Sequence, residues 1–265
     1  IITGGRGSGK SWVVALWSVI ALVQYSFNIL YTRYTNLSII DSVKPEISDK
    51  VEILGFNGVV TDTVTNISYK ESRISFKGVK TGSSQQTANL KSLSGFNVFV
   101  CDEAEELPDY KTFKKIFYSI RSNTKRNINI LILNPTTKDH WIYKTFFEDM
   151  GVEGGHNGIK DNVLYIHTSY LDIGVDKLAP NIVADYERMK ANNPSEYESI
   201  VLGGWVEDKE GVLLQRSQLN YSTIPVDAPN IAYSFAIGDP ADKGGDKFST
   251  VFIDILAYGN SIKAY

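Results

Sequence analysis

The stretch that most constrains this fold stands at the very start: "IITGGRGSGKS", followed without a break by the apolar run "WVVALWSVIALVQY". From Gly4 the residues satisfy G-x-x-x-x-G-K-[ST], closed by Gly9, Lys10 and Ser11, and the two isoleucines ahead of it read as the end of a buried strand. Backbone N–H groups can wrap a triphosphate closely only where side chains are missing and unusual φ/ψ values are allowed, which Gly4, Gly5, Gly7 and Gly9 provide. The pattern predicts strand, phosphate loop and helix start, with the helix apolar almost all round and its N-terminal dipole facing the phosphates. Gly4, Gly5, Arg6, Gly7, Ser8 and Gly9 would line the nucleotide, Lys10 would reach the β- and γ-phosphates, and Ser11 would ligate Mg²⁺. A glycine-rich turn that happens to contain GKS is the competing reading, and the strand and helix on either side argue against it.

A phosphate loop needs an acidic partner on a neighbouring strand, and "NVFVCDEAEELPD" offers one. Val98 to Cys101 read as a short buried parallel strand ending at the active-site edge, placing Asp102 to complete the Mg²⁺ site and Glu103 to polarise water as a general base. Two adjacent acids elsewhere usually mark a solvated turn; here they follow an apolar strand downstream of a complete phosphate loop. Cys101 reads as a core residue, since nothing cationic adjoins it. In "DYKTFKKIFYSIRS" the apolar residues Tyr110, Phe113, Ile116, Phe117 and Ile120 recur at helical spacing with lysines opposite, predicting a crossover helix. It feeds "NINILILNPTT", a buried strand ending in Asn134, Pro135, Thr136 and Thr137. Two readings of that end stay open: a sensor of the γ-phosphate, or an Asn-Pro turn.

Strand and helix go on alternating through "DHWIYKTFFED", "NVLYIHTSY" and "PNIVADYERMKANNPSEYESIVLGGW", with Pro180 placed to start a helix and Gly203–Gly204 to end one. "NISYKESRISFKG" reads as a β-hairpin inserted before the acidic strand. His140, His156 and His167 are scattered, which argues against a histidine-built metal site. From about Trp205 charges, prolines and loss of period predict a linker. "SFAIGDPADKGGDKFSTVFIDILAYGNSIKAY" then reads as an antiparallel meander opening a new sheet. Asp239 follows its first apolar strand and Asp246 lies across the Gly244–Gly245 turn; the pair are either ligands for Mg²⁺ or Mn²⁺ in phosphodiester chemistry or ordinary turn residues.

Bulk properties narrow the partners. The 265 residues carry a net charge of −3 with 43% hydrophobic and 22% charged residues, an ordinary globular balance that excludes a generally basic nucleic-acid binder. DNA contact would need local patches such as "KTFKK" and "RSNTKR", which also read as solvated helix faces. A single cysteine excludes an internal disulfide and a cysteine-rich zinc site, fitting a reducing compartment. Nothing resembles a signal peptide, and "WVVALWSVIALV" is short for a membrane span. With the loop so near its first residue and a strand at its last, the chain is expected to be a piece of a longer protein, without the upstream adenine contacts.

Taken in order, "GGRGSGKS", "VFVCDEAEEL", "LILNPTTKDHWIYKTFFE", "HTSYLD", "NPSEYESIVLGGW" and "GDPADKGGDKFSTV" resemble the large subunit of tailed-bacteriophage or prophage terminases, over nearly the whole chain. The first motifs are generic to P-loop ATPases; "NP" followed by "W-x-Y-K-x-F-F" and the "LG-x-W" before the linker are more particular. The resemblance implies an α/β P-loop NTPase of the additional-strand class with a mainly parallel sheet (1–205), a linker (206–231) and the truncated start of an RNase H-like nuclease domain (232–265). It implies an ATP- and Mg²⁺-dependent motor in the host bacterial cytoplasm that moves double-stranded DNA into a procapsid. Its partners would be the portal protein, the terminase small subunit and further copies in a ring, with no membrane. Position by position it gives Lys10 and Ser11 to phosphates and Mg²⁺, Asp102 to Mg²⁺, Glu103 to water, Asn134 to Thr136 to coupling, and Asp239, with Asp246 near it, to the nuclease metal. A basic residue from a neighbouring subunit is expected to complete the ATP site, with Lys91, Arg6 and Arg121 as alternatives. The endonuclease would be incomplete in this chain. A helicase-like or repair P-loop ATPase, and a scaffold that binds ATP without hydrolysing it, are the other classes these motifs allow.

Overall fold

The computed structural model describes residues 1–35, 38–80, 95–207, 231–239, 249–258 and 261–264. The chain forms two compact units, Ile1–Arg216 and Ser217–Tyr265.

The first unit is built on a nine-stranded sheet in the order β3-β4-β5-β2-β6-β7-β1-β9-β8. Its strands are β1 (Ile2–Gly4), β2 (Ile29–Thr35), β3 (Thr61–Asp62), β4 (Asn66–Tyr69), β5 (Ser72–Lys80), β6 (Val98–Cys101), β7 (Ile128–Leu133), β8 (Gly158–Lys160) and β9 (Val163–Thr168). The six strands from β5 to β9 in that order pair in parallel, and the antiparallel pairs β3–β4, β4–β5 and β8–β9 lie at the two edges. The loop-bearing strand β1 and the acidic strand β6 are not neighbours, because β7 stands between them. The main helices are α1 (Lys10–Tyr25), α2 (Lys44–Ile53), α3 (Tyr110–Phe117) and α4 (Pro180–Asn192).

The strand period of two divides the core. Along β6, Val98 and Val100 enter one buried cluster with α1 and α2, while Phe99 and Cys101 enter another with α3 and the helical segment Trp141–Glu148. Both faces of the sheet are therefore covered, which is why its central strands read as continuous apolar runs. Burying each large side chain of these strands contributes about 1.5–3 kcal/mol. The Asp109 carboxylate caps α3, accepting from the Thr112 N–H at 2.6 Å.

Three local expectations are refined. The hairpin at "NISYKESRISFKG" forms as β4–β5, but β5 also runs parallel to β2, because Ile74 and Phe76 are buried in the α1 cluster. The helix opened by Pro180 stops at Asn192; Pro194 cannot continue it, and the Asn193 side chain caps a second helical stretch from Pro194 to Val201. Helix α1 is not buried all round, since Trp12 and Val13 are exposed on its first turn. The Lys50 ammonium lies 4.9 Å from the centre of the Trp12 ring and is paired to Glu46 at 2.8 Å.

The second unit holds an antiparallel sheet, β10 (Ile231–Asp239), β11 (Ser249–Tyr258) and β12 (Ser261–Ala264), in that order, as the alternation there predicts. Asp239 is the last residue of β10, opposite Ser249. Asp246 lies outside the described residues. Among the described residues no helix is long and apolar enough to cross a membrane.

Candidate functional site

The loop between β1 and α1 lies at the carboxyl edge of the parallel sheet, and its conformation follows from its glycines. Gly7 and Gly9 have φ values of +71° and +73°, where a side chain would be strained. Gly9 stands at the N-cap of α1, whose end carries no side-chain cap and no acidic residue in its first turn. Its first N–H groups, with the positive end of the helix dipole, are left to an anionic ligand.

The loop rests on the segment that follows α4. Arg6 N donates to Ile200 O at 3.0 Å, and the Tyr186 hydroxyl donates to Arg6 O at 3.3 Å. A Cβ on Gly5 would fall 1.7 Å from Val201 O, and one on Gly203 would fall 2.3 Å from the Gly4 carbonyl carbon. A small buried cluster of Tyr170, Tyr186, Tyr197 and Val201 fixes this support, with the Tyr170 and Tyr197 hydroxyls 2.9 Å apart.

A cleft of about 410 Å³ opens over the loop, reaching Trp12, Arg33, Asp102, Glu103 and Asn134. Strand order explains the meeting: β6 delivers Asp102 and Glu103 beside β7, which delivers Asn134, and β7 adjoins β1. Ser11 Oγ donates to Asp102 Oδ1 at 2.9 Å. Lys10 Nζ donates to the carbonyls of Gly4 and Gly5 at 2.9 and 2.8 Å, to Ser8 Oγ at 3.0 Å and to Asn134 Oδ1 at 3.1 Å. Burial lowers the Lys10 pKa to about 8, against the opposing pull of the Glu105 and Asp102 carboxylates. Glu103 has a left-handed backbone, φ +53°, at the start of the turn Ala104–Glu106. Burial raises its pKa, and Arg33 opposes that shift.

Sequence reasoning misses two residues of the site. Arg33, near the end of β2, donates from Nε and an Nη to Asp102 Oδ2 at 2.9 and 2.8 Å, and its Nη lies 3.0 Å from Glu103 Oε1. The available signal is a cation at the carboxyl end of the alternating run "ILYTRYT". Glu105 accepts at Oε1 from Asn134 N and Nδ2, at 3.2 and 3.1 Å. Burial raises its pKa too. No sequence signal separates it from the other acids of "DEAEE".

Of the residues considered for a trans-acting role, Arg6 is exposed at the cleft. Arg121 is exposed past the end of α3 and is not among the cleft residues, and Lys91 lies outside the described residues. Beyond Asn134 the chain pairs with Val206: Val206 N donates to Thr136 O at 3.0 Å, and Lys138 N donates to Val206 O at 2.8 Å. Cys101 is fully buried, and its thiol pKa is pushed up to about 12 by burial. His167 Nδ1 lies 3.0 Å from Thr3 Oγ1 and His140 Nε2 lies 3.1 Å from Glu105 O, each serving the structure around the cleft. Among the described residues no group of three or more His, Cys, Asp or Glu side chains could hold a metal ion by itself. Ser11 and Asp102 together present a hydroxyl and a carboxylate, hard oxygen donors of the kind Mg²⁺ takes when it arrives with a nucleotide's phosphates and keeps several waters.

A mostly parallel sheet with a glycine-rich loop joining one of its inner parallel strands, β1, to an uncapped helix places the first unit in the class of phosphate-loop α/β domains. The family model for the phage terminase large subunit matches residues 1–204, and the chain belongs to that family. Among solved structures, the large terminase of a thermophilic bacteriophage aligns over 100% of this chain and 62% of its own, at 18% identity and a TM-score of 0.57. The same protein in complex with ATP-gamma-S aligns over the same shares at 16% identity and 0.53. The ATPase domain of the Thermus phage P74-26 large terminase aligns over 78% of this chain and 88% of its own, at 17% identity and 0.56. A search of curated proteins gives no match. The chain thus spans 62% of the length of the thermophilic phage protein, and its first unit has the fold of terminase ATPase domains.

Proposed function

We propose that the first unit hydrolyses ATP and that the full-length subunit uses the energy to drive double-stranded DNA into a procapsid. The observation that carries the reading is the 2.9 Å bond between Ser11 Oγ and Asp102 Oδ1, which joins the phosphate loop to the acidic strand beside Glu103. The intervening strand β7 supports assignment to the additional-strand class.

In this reading the loop N–H groups and the α1 N-terminus bind the phosphates, and Lys10 exchanges Asn134 Oδ1 for a phosphate oxygen. Ser11 and Asp102 hold Mg²⁺, which when bound neutralises charge on the β- and γ-phosphates. Glu103 orients water for in-line attack and takes its proton at Oε1 or Oε2. Arg33 balances the charge of Asp102 and steadies Glu103. Asn134 senses the γ-phosphate, and the Thr136–Lys138 pairing with Val206 carries its movement toward the second unit's side of the sequence. DNA is gripped through its backbone, by lysines of α3 and by neighbouring subunits of a ring, so binding is sequence-indifferent and salt-sensitive. Portal and small subunit are the further partners, in the host cytoplasm. Asp239, with Asp246, begins the RNase H-like nuclease site, for Mg²⁺ or Mn²⁺.

Glu103→Gln tests the hydrolytic assignment. ATP affinity should stay within about threefold of wild type while turnover falls by about 10²–10⁴, the usual share of a general base. Turnover near the wild-type rate would refute it.

A further inference from the structure

Glu105 is a half-buried acid that the hydrolytic reading does not use. Its Oε1 accepts two hydrogen bonds from one residue, Asn134 N and Nδ2, while its Oε2 is buried with no hydrogen-bond partner. A half-satisfied buried carboxylate is costly, so packing alone does not explain an acid here. A carboxylate can only accept, which forces the Asn134 amide to present Nδ2 to Glu105 and therefore Oδ1 to Lys10, at 3.1 Å. The Glu105 carbonyl oxygen is also held, by His140 Nε2 at 3.1 Å, so the turn bearing the acid is anchored to the segment after Asn134.

We propose that Glu105 is the positioning residue for Asn134, setting the orientation of its amide so that the phosphate-loop lysine and the Asn134–Thr137 segment act as one unit. The proposal rests on the reading of Asn134 as the γ-phosphate sensor. Lys10 changes partner from Asn134 Oδ1 to a phosphate oxygen, and the change is registered because the other end of the amide cannot turn. Thr136 and Lys138, through their bonds to Val206, extend the same unit to the residues leading out of the sheet.

The test measures binding of fluorescently labelled ATP and ADP to the full-length subunit for wild type, Glu105→Met, Glu105→Gln, Asn134→Ala and the Glu105→Met/Asn134→Ala double variant, alongside melting temperatures that show each variant is folded. Met is close to Glu in length but offers no oxygen to Asn134 N or Nδ2, so the Asn134 amide loses its fixed orientation, whereas the Gln amide oxygen can still accept both bonds. Glu105→Met should lower the ATP-over-ADP affinity ratio about tenfold, as Asn134→Ala does, the double variant should be no worse than either single, and Glu105→Gln should keep the ratio within about threefold of wild type. A ratio within about twofold of wild type in Glu105→Met while Asn134→Ala loses it, or losses that multiply in the double variant, would overturn the positioning role alone. An unchanged ratio in Asn134→Ala would remove the sensor reading and this proposal with it. Glu105→Ala, read against the same double-variant logic, serves if the Met variant does not fold.

Discussion

Replacing Gly203 by Ala should damage the phosphate loop from outside the cleft. Gly203 has φ +78°, and a Cβ there would meet Gly4 C at 2.3 Å, Gly5 N at 2.4 Å and Gly4 Cα at 2.6 Å. All three are backbone atoms of the loop, so no flexible side-chain end can yield. The left-handed conformation costs a non-glycine residue about 1–2 kcal/mol, and forcing a methyl into a packed site costs about 1–3 kcal/mol more. The sum, about 2–5 kcal/mol, corresponds to a fall in melting temperature of about 4–20 °C for a domain of this size. Gly151→Ala supplies the control: its φ is +61°, but nothing lies within 4 Å of a Cβ there, so only the conformational part applies. Differential scanning calorimetry of both variants, with ATP affinity measured in parallel, separates the two parts. Gly203→Ala should lose several-fold in ATP affinity as well as stability, and Gly151→Ala should keep its affinity. Equal melting temperatures and equal affinities in the two variants would refute the claim that Gly203 braces the loop.

Three further outcomes follow from the site. Arg33→Ala should destabilise the nucleotide-free protein by about 3 kcal/mol in urea unfolding, since it strands Asp102, whose side chain is 3% exposed; a loss below about 1 kcal/mol would mean that water replaces the guanidinium freely. Lys10 has a folded-state pKa of about 8 against 10.5 unfolded, so the unfolded chain binds more protons between those values and the penalty of burying the ammonium is lifted as pH rises through that window. Wild-type stability should therefore rise relative to Lys10→Met between about pH 8 and 10, and parallel pH curves for the two would contradict the assignment. Cys101, with its thiol pushed up to about 12, should resist an aromatic disulfide reagent at about pH 8 until the protein unfolds, and rapid labelling of the native protein would show that β6 opens.

Much of this site can be read from the sequence because its parts lie in contiguous runs with a strong local logic. The glycine pattern requires a loop, the apolar run after it a helix, and "NVFVCDE" a buried strand ending in acids. Asn134 stays between sensor and turn on spacing alone, because what its amide meets is decided by strand order, and β7 reaches the loop only through its place beside β1. Arg33 escapes for the same reason: it is 69 residues from Asp102 in sequence, and only the parallel register of β2 with β6 brings them together. The "LG-x-W" stretch is visible as a motif, but its physical meaning is a backbone approach of Gly203 to Gly4 that no periodicity encodes.

The central claim is tested most directly by Mg²⁺-dependent ATP hydrolysis of the full-length subunit, with and without portal-bearing procapsids and double-stranded DNA, for wild type, Glu103→Gln and Asp239→Ala, with plasmid cleavage followed in the same preparations. The account predicts that procapsids and DNA stimulate hydrolysis, that Glu103→Gln abolishes it, and that Asp239→Ala loses only cleavage. Hydrolysis indifferent to procapsids, with Asp239→Ala cutting as well as wild type, would contradict it.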